Sequence, residues 1–197
     1  MEIPNGYHVV GAGKIASIVT YLQMTSRPEE VDPQPPAGCH LQRVKQMDLT
    51  RYRALFRRIG ENWLWFSRLV LSDEELRSIL HHPKQELYVL SQDGEDVGLM
   101  ELDRRVAREV ELAFFGITPE RTGQGLGKYL IQEAIRLAWQ GDTVRFWLHT
   151  CTLDSPQALG FYQRAGFRPY RRAIEVADDP RLTGKLPRHV ASWYPIL

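Results

Sequence analysis

Residues 111–130, ELAFFGITPERTGQGLGKYL, constrain this chain more tightly than any other stretch. An apolar strand runs through a short link at Pro119 into Gly123, Gly125 and Gly127, where an amphipathic helix opens near Leu126. Gln124 and Leu126 alternate with the glycines, so a run of backbone amides is poorly screened by side chains. A helix start brings its own free amides and the positive end of its dipole to the same spot. Exposed amides at a helix N-terminus make an anion site, and a phosphate suits it.

Spacing removes the common nucleotide schemes. A Walker loop needs glycine five residues before the Gly-Lys pair, where Thr122 stands, and Ser or Thr after the lysine, where Tyr129 stands. A dinucleotide fingerprint needs two residues between its second and third glycines, and this loop has one. A separate stretch, Gly11, Gly13 and Ala16 after a short apolar run, does fit the dinucleotide spacing. The segment that follows, SRPEEVDPQPPAG at residues 26–38, supplies proline and charge where a second strand is required. As a rival, a Rossmann-type protein built on Gly11 predicts NAD binding and a parallel sheet.

What remains is strand, link, then x-x-x-Gly-x-Gly on a helix start. Residues 122–127 resemble the acyl-CoA-binding motif of the GNAT superfamily of N-acyltransferases, Gln/Arg-x-x-Gly-x-Gly/Ala. Thr122 departs from the pattern, whose leading Arg or Gln also reaches the pyrophosphate. Arg121, one residue early, and the backbone amides are the two substitutes. Residues 158–167, ALGFYQRAGF, resemble a second GNAT segment, A-x-x-F/L-Y-x-x-x-G-F, in the expected order and spacing.

The resemblance implies an α+β GNAT fold, a central mixed but mostly antiparallel sheet flanked by helices. It implies acetyl-CoA as acyl donor and direct transfer to a primary amine, with no covalent enzyme intermediate and no metal. The pantetheine arm would lie like an extra strand on Phe115, Gly116 and Ile117. Its pyrophosphate would meet Thr122, Gly123, Gln124, Gly125, Gly127 and Lys128. Ser155 stands where the family often has a cofactor-touching Asn, and it also reads as the cap of a helix with Pro156 at the first position. Tyr162 matches the family tyrosine that protonates the departing thiolate; its other reading is an aromatic that packs the helix on the sheet.

An amine arrives as ammonium and must lose a proton before it attacks. Glu109 and Glu111 share one face of a strand because side chains alternate with period two. A carboxylate partly buried there would have its pKa raised toward the working range. Glu111 matches the catalytic Glu of the histone-modifying GNAT members, with Glu109 and His149 behind it as base candidates. A solvated acidic pair at a strand entry is the plainer alternative. Trp63, Trp65 and Phe66 either shape the acceptor pocket or belong to the core, and Glu61 is the nearest carboxylate to attract an amine. A non-catalytic acyl-CoA-binding or sensing module of the same fold is the alternative from another class.

Element by element, residues 39–48 alternate as a half-buried strand and residues 49–59 carry apolar residues at helical spacing. Ser72 with Glu75 forms a capping box that opens a helix running to Leu80. Strands at 86–91 and 97–103 flank Asp93-Gly94, a hairpin signal. Residues 109–117 form the next strand, followed by a helix at 126–139, a strand at 143–151, a helix at 157–165 and a last strand at 167–176. Residues 15–24 read as an extra strand or short helix. The expected organisation is an N-terminal extension with a Pro-rich linker at 1–38, the acetyltransferase domain at 39–176 and a C-terminal tail at 177–197 packed on it.

Charge narrows the partners. The 25 Lys and Arg against 24 acidic residues among 197 give no global field for nucleic acid or an anionic membrane. The expected partner is a small-molecule or peptide amine, and a homodimer is permitted. Met-Glu-Ile-Pro lacks the pattern of a secretory signal, and Cys39 and Cys151 read as reduced thiols of a cytoplasmic protein. No Cys/His pair stands at zinc-ligand spacing.

Overall fold

The computed structural model describes residues 3–29 and 32–197; residues 1–2, and residues 30–31 of the expected linker, lie outside it. The strands are β1 Lys14–Met24, β2 Cys39–Arg43, β3 Gln85–Gln92, β4 Glu95–Asp103, β5 Glu109–Ile117, β6 Arg145–Cys151 and β7 Arg168–Asp178. They form one sheet in the order β2-β3-β4-β5-β6-β1-β7. Among the described residues only β5 and β6 run parallel. Helices α1 Leu49–Gly60, α2 Asp73–Leu80, α3 Leu126–Ala138 and α4 Ala158–Arg164 cover the faces. The result is the α+β architecture expected from the order of elements.

Local chemistry explains most boundaries. The Asp48 side chain accepts from the Arg51 amide and starts α1. Ser72 and Glu75 close the capping box of α2 in both directions. Asp93 and Gly94, with φ of 53° and 86°, turn β3 into β4. Along α3, Leu126, Leu130, Ala134 and Leu137 recur at helical spacing and are buried against the sheet. That side of the sheet holds one apolar core with Leu22, Phe146, Leu148 and Phe167. The other side holds a second core around Tyr52, Phe56, Leu76 and Leu99, joined by Leu186, Val190 and Ala191 of the C-terminal segment.

Three expectations change. Strand β2 stops at Arg43, five residues short of the expected end, because the chain turns to let Asp48 cap α1. Helix α4 starts at Ala158, not directly after Ser155. Ser155 and Pro156 make a turn in which the Ala158 amide donates to the Ser155 carbonyl at 2.8 Å, and the N-cap is Gln157. Finally, residues 15–24 are a strand inside the sheet. Strand β1 pairs with β6 from Val19↔Cys151 to Met24↔Phe146 and with β7 from Lys14↔Asp178 to Gln23↔Arg168.

The position of β1 also removes the dinucleotide rival. Gly11 and Gly13 lead by a turn straight into β1, not into a helix N-terminus, and β1 is antiparallel to both neighbours. Among the described residues no helix is long and apolar enough to cross a membrane.

Candidate active site where two strands part

The parallel contact of β5 with β6 is short. It runs from Glu109↔Arg145 to Glu111↔Trp147 and stops there, while both strands continue. On its other side β5 carries a bulge: Leu102 faces Leu112 and Glu101 faces Phe114, which leaves Ala113 unopposed. A bulge bends its strand and raises the local twist. Strand β5 therefore turns away from β6, and the wedge between them opens into a cleft of about 760 Å³. Among the described residues the backbone of β5 beyond Glu111 has no strand neighbour on that edge.

The cleft brings together Glu111, Phe115, Gly116, Ile117, Thr122, Gly127, His149, Ser155 and Tyr162, drawn from β5, the glycine loop, β6, the following turn and α4. Glu109 is not among its lining residues; its carboxylate is 3.0 Å from Arg145. Glu61 does not line it either. Arg121 turns to Glu95 at 3.8 Å, leaving Thr122 as the loop residue beside the cleft. Gly123, Gln124 and Gly125 stand exposed above it.

Each glycine has its own reason. Gly123 and Gly125 have φ of 84° and 82°, and a Cβ on either would meet nothing within 4 Å. Backbone conformation demands glycine there, and the space over the loop is open. Gly116 is different: a Cβ would lie 2.3 Å from Cγ2 of Ile59 and 3.2 Å from the Trp65 ring. Packing of α1 on β5 accounts for Gly116. Helix α3 begins at Gly125 with no side-chain cap and no acidic residue in its first turn. Its free amides and dipole are left to an external anion.

Glu111 and His149 meet on one face of the sheet, Oε1 to Nδ1 at 3.6 Å, an ion-pair distance and not a tight hydrogen bond. Polar contact with Glu111 raises the imidazole pKa above its ordinary value, against burial, which lowers it; Asp154 and Glu175 add smaller upward pulls. Tyr162 is buried against Phe115, Phe161 and Phe167. Burial, and then the charge of Asp154, push its pKa well above the usual phenol range. The hydroxyl has no protein hydrogen bond among the described residues. Burial and Asp154 likewise push the Cys151 thiol up to about 11.

Two groups in the cleft carry no motif. Asp154 accepts from the Trp65 indole at 3.0 Å, the Thr150 hydroxyl at 2.7 Å and the Cys151 amide at 2.9 Å. It ties the aromatic loop after α1 to the end of β6. Arg68 lies over the Phe114 ring at 4.8 Å and donates to Glu101 at 2.8 Å. Glu101, fully buried, also accepts from Tyr52 and from Gln85. A polar turn, Thr-Leu-Asp-Ser-Pro, was the only sequence signal for Asp154, and Arg68 had none. Trp63, Trp65 and Phe66 line the cleft while half-buried, so they serve wall and core together.

A second hollow of about 430 Å³ adjoins the cleft through Phe161 and Arg164. Lys128 lines it, with Ile131, Ile135 and Trp139 of α3 as an apolar floor.

A model of the acetyltransferase (GNAT) family matches residues 51–167. A search of curated proteins returned no match. Among solved structures, a GCN5-related N-acetyltransferase from Sphaerobacter thermophilus aligns with a TM-score of 0.60 at 15% identity, covering 82% of this chain and 51% of that one. The ribosomal-protein-S18-alanine N-acetyltransferase from Escherichia coli aligns with a TM-score of 0.57 at 17% identity, over 72% of this chain and 94% of that one. An aminoglycoside acetyltransferase from an uncultured soil metagenomic sample aligns with a TM-score of 0.55 at 16% identity, over 66% and 88%. The chain spans 51%, 64% and 63% of the length of three solved structures it resembles, so it matches only part of them. At these identities the likeness is one of fold.

Proposed function

The chain belongs to the acetyltransferase (GNAT) family, and from that premise we propose that it transfers an acetyl group from acetyl-CoA to a primary amine by direct attack in a ternary complex. One observation carries the reading: the parting of β5 from β6 puts Glu111, Tyr162 and an unpaired strand edge in one cleft that runs to the glycine loop.

The residues fit acetyl-CoA. Amides of residues 123–128 and the uncapped start of α3 suit a pyrophosphate. In the adjoining hollow, Lys128 and Arg164 form no ion pair among the described residues, and the apolar floor beside them suits an adenosine 3′-phosphate. The free edge of Phe115, Gly116 and Ile117 suits the amides of a pantetheine arm, as an added strand would. Acetyl-CoA would bring an acyl group already activated as a thioester.

The chain's own groups then divide the work. Glu111 takes a proton from the ammonium, with His149 beside it as the reserve base. A β5 amide donates to the carbonyl oxygen as negative charge develops. The C–N bond forms, the C–S bond breaks, and Tyr162 donates its proton to the departing sulfur. Tyr162 carries that proton at neutral pH as any phenol does, and burial with the charge of Asp154 holds it more firmly. The Cys151 thiol, raised to about 11, is too weakly ionised for a nucleophile, which supports direct attack.

Charge also favours one kind of acceptor. Arg68 is held by Glu101 and Arg105 by Asp103, so two of the cleft's three arginines are already neutralised, and the third, Arg164, stands where the cleft meets the second hollow. Among the described residues neither Glu111 nor Asp154 makes an ion pair with Lys or Arg, and Arg105 acts on Glu111 only through its charge, after Asp103. The acceptor end therefore attracts an ammonium, with Trp63, Trp65 and Phe66 as faces for its organic body. The free thiols Cys39 and Cys151 fit a cytoplasmic setting.

The test is release of CoA from acetyl-CoA over a panel of amines, with calorimetric binding of CoA alongside. Amine-dependent release is expected, stronger for amines without a neighbouring carboxylate. Tight binding with no release on any amine would instead favour a sensing module, a reading supported by Thr122 and by the turning of Arg121 to Glu95. No binding would overturn both.

A further inference from the structure

The sheet ends on a strand that looks built to meet its own copy. Strand β7 lies last in the order, pairs only with β1, and spans eleven residues, Arg168–Asp178. Its other edge has no neighbour among the described residues. The opposite end of the sheet, β2, has only five residues. Long exposed edges with apolar side chains invite pairing, and Tyr170, Ile174 and Val176 are 41%, 44% and 54% exposed. Ile18 of β1, opposite Ile174, is exposed beside them.

Charge on such an edge can protect it, but only when like charges would meet. Here the signs are separated along the strand. Arg168, Arg171 and Arg172 fill the first half, while Glu175 and Asp178 fill the second. A two-fold axis perpendicular to the sheet makes one antiparallel edge pair with itself, and opposed residues must share a face. The pairing with β1 shifts by one residue near Tyr170, a bulge that turns Arg168 and Tyr170 to the other face from Asp178 and Val176, so the regular stretch is Arg171–Asp178. With the axis at Ala173, Arg171 opposes Glu175, twice by symmetry. Moving the axis to Arg172 sets that arginine against itself. Moving it to Ile174 gives no opposite-charge pair.

We propose that β7 is a homodimer interface, pairing antiparallel with β7 of a second copy about Ala173. The two sheets then run on as one. Arg171 lies over the Tyr21 ring at 5.2 Å, which holds it extended on the face where Glu175 lies. Pro169 removes at most one backbone donor per copy. Glu175 and Ala177 also line the cleft, so the second copy borders its acceptor end.

Light scattering after size exclusion on the full chain tests this. Twice the chain mass is expected for the unaltered protein. Arg171→Glu alone, or Glu175→Arg alone, puts like charges opposite at two symmetric places and should raise the dimer dissociation constant by about tenfold or more. The double variant, Arg171→Glu with Glu175→Arg, exchanges the charges and should restore the dimer, which also controls for folding. A monomeric unaltered protein, single variants that stay dimeric, or a double variant that stays monomeric each overturns the proposal.

Discussion

Tyr162 packs α4 on the sheet through its ring and is also one of the residues that line the cleft. The two roles separate on substitution. Tyr162→Phe keeps the ring contacts and removes no protein hydrogen bond, so the melting temperature should barely move. Turnover should fall by about 10- to 100-fold if the hydroxyl is the acid, with the Michaelis constant for acetyl-CoA little changed. Turnover near that of the unaltered protein would return Tyr162 to packing alone. His149 makes a prediction about pH. Its folded pKa is raised by Glu111, so the stability this contact supplies is fully present below the unfolded value of about 6.5. It is lost as pH rises through the folded pKa. The urea midpoint of His149→Gln should therefore lie further below the unaltered protein at acid pH than at pH above the folded value. In Glu111→Gln the raising contact is gone and the imidazole pKa, followed by NMR, should drop. Equal gaps at both pH values, or an unmoved imidazole, would sink the pairing. Glu111 and Tyr162, which both line the cleft, could be singled out in advance because each sits in a contiguous segment that resembles a family motif. Asp154 and Arg68 could not, since their partners Trp65 and Glu101 are 89 and 33 residues away in the chain.

The glycine loop and the start of α3 act as one element, and its glycines answer to different forces. Gly125→Leu adds a side chain where φ is 82° and the space is open. The left-handed backbone costs about 1–2 kcal/mol, and the side chain stands over the amides. The Michaelis constant for acetyl-CoA should rise several-fold or more, with a modest drop in the denaturation midpoint. Gly116→Ala should do the reverse. Its Cβ would collide with Ile59 at 2.3 Å, and overpacking of this kind costs about 1–3 kcal/mol. Stability, read by urea, should suffer first. If Gly125→Leu leaves cofactor binding intact, the loop is not the phosphate site. The strand-loop-helix was readable in advance because spacing alone dictates it. The burden on Gly116 was not, because it depends on how closely α1 lies on β5. Ser155 failed as a cap for a related reason. The turn it makes with Pro156 follows the end of β6, and Asp154, one residue earlier, is held to Trp65 and Thr150 across the cleft.

At the scale of the whole molecule, the sheet depends on a strand that local pattern placed outside it. The family match begins at residue 51, yet β1, from residues 14–24, lies between β6 and β7. Its β-branched residues made it legible as an extra strand or short helix; its place was not, because pairing partners more than a hundred residues distant leave no trace in spacing. Strand β7 pairs with nothing but β1 among the described residues. Removing β1 therefore detaches β7 and exposes both cores at once. Ile15, Val19, Leu22 and Met24 of β1 are each less than a tenth exposed. At about 1.5–3 kcal/mol for each buried side chain, their loss amounts to roughly 6–12 kcal/mol. That is the size of the entire stability of a typical domain, about 5–15 kcal/mol. A chain starting at residue 25 should thus show no cooperative thermal transition by circular dichroism and should bind no CoA. A chain starting at residue 11 is the control: residues 3–10 are exposed, while Gly13 keeps its hydrogen bonds to Leu197 at 3.0 Å and Asp179 at 2.9 Å. It should melt within a few degrees of the full chain. A cooperative transition at the same temperature in the shorter chain would mean that the fold closes without β1, and the extension would then be an appendage after all.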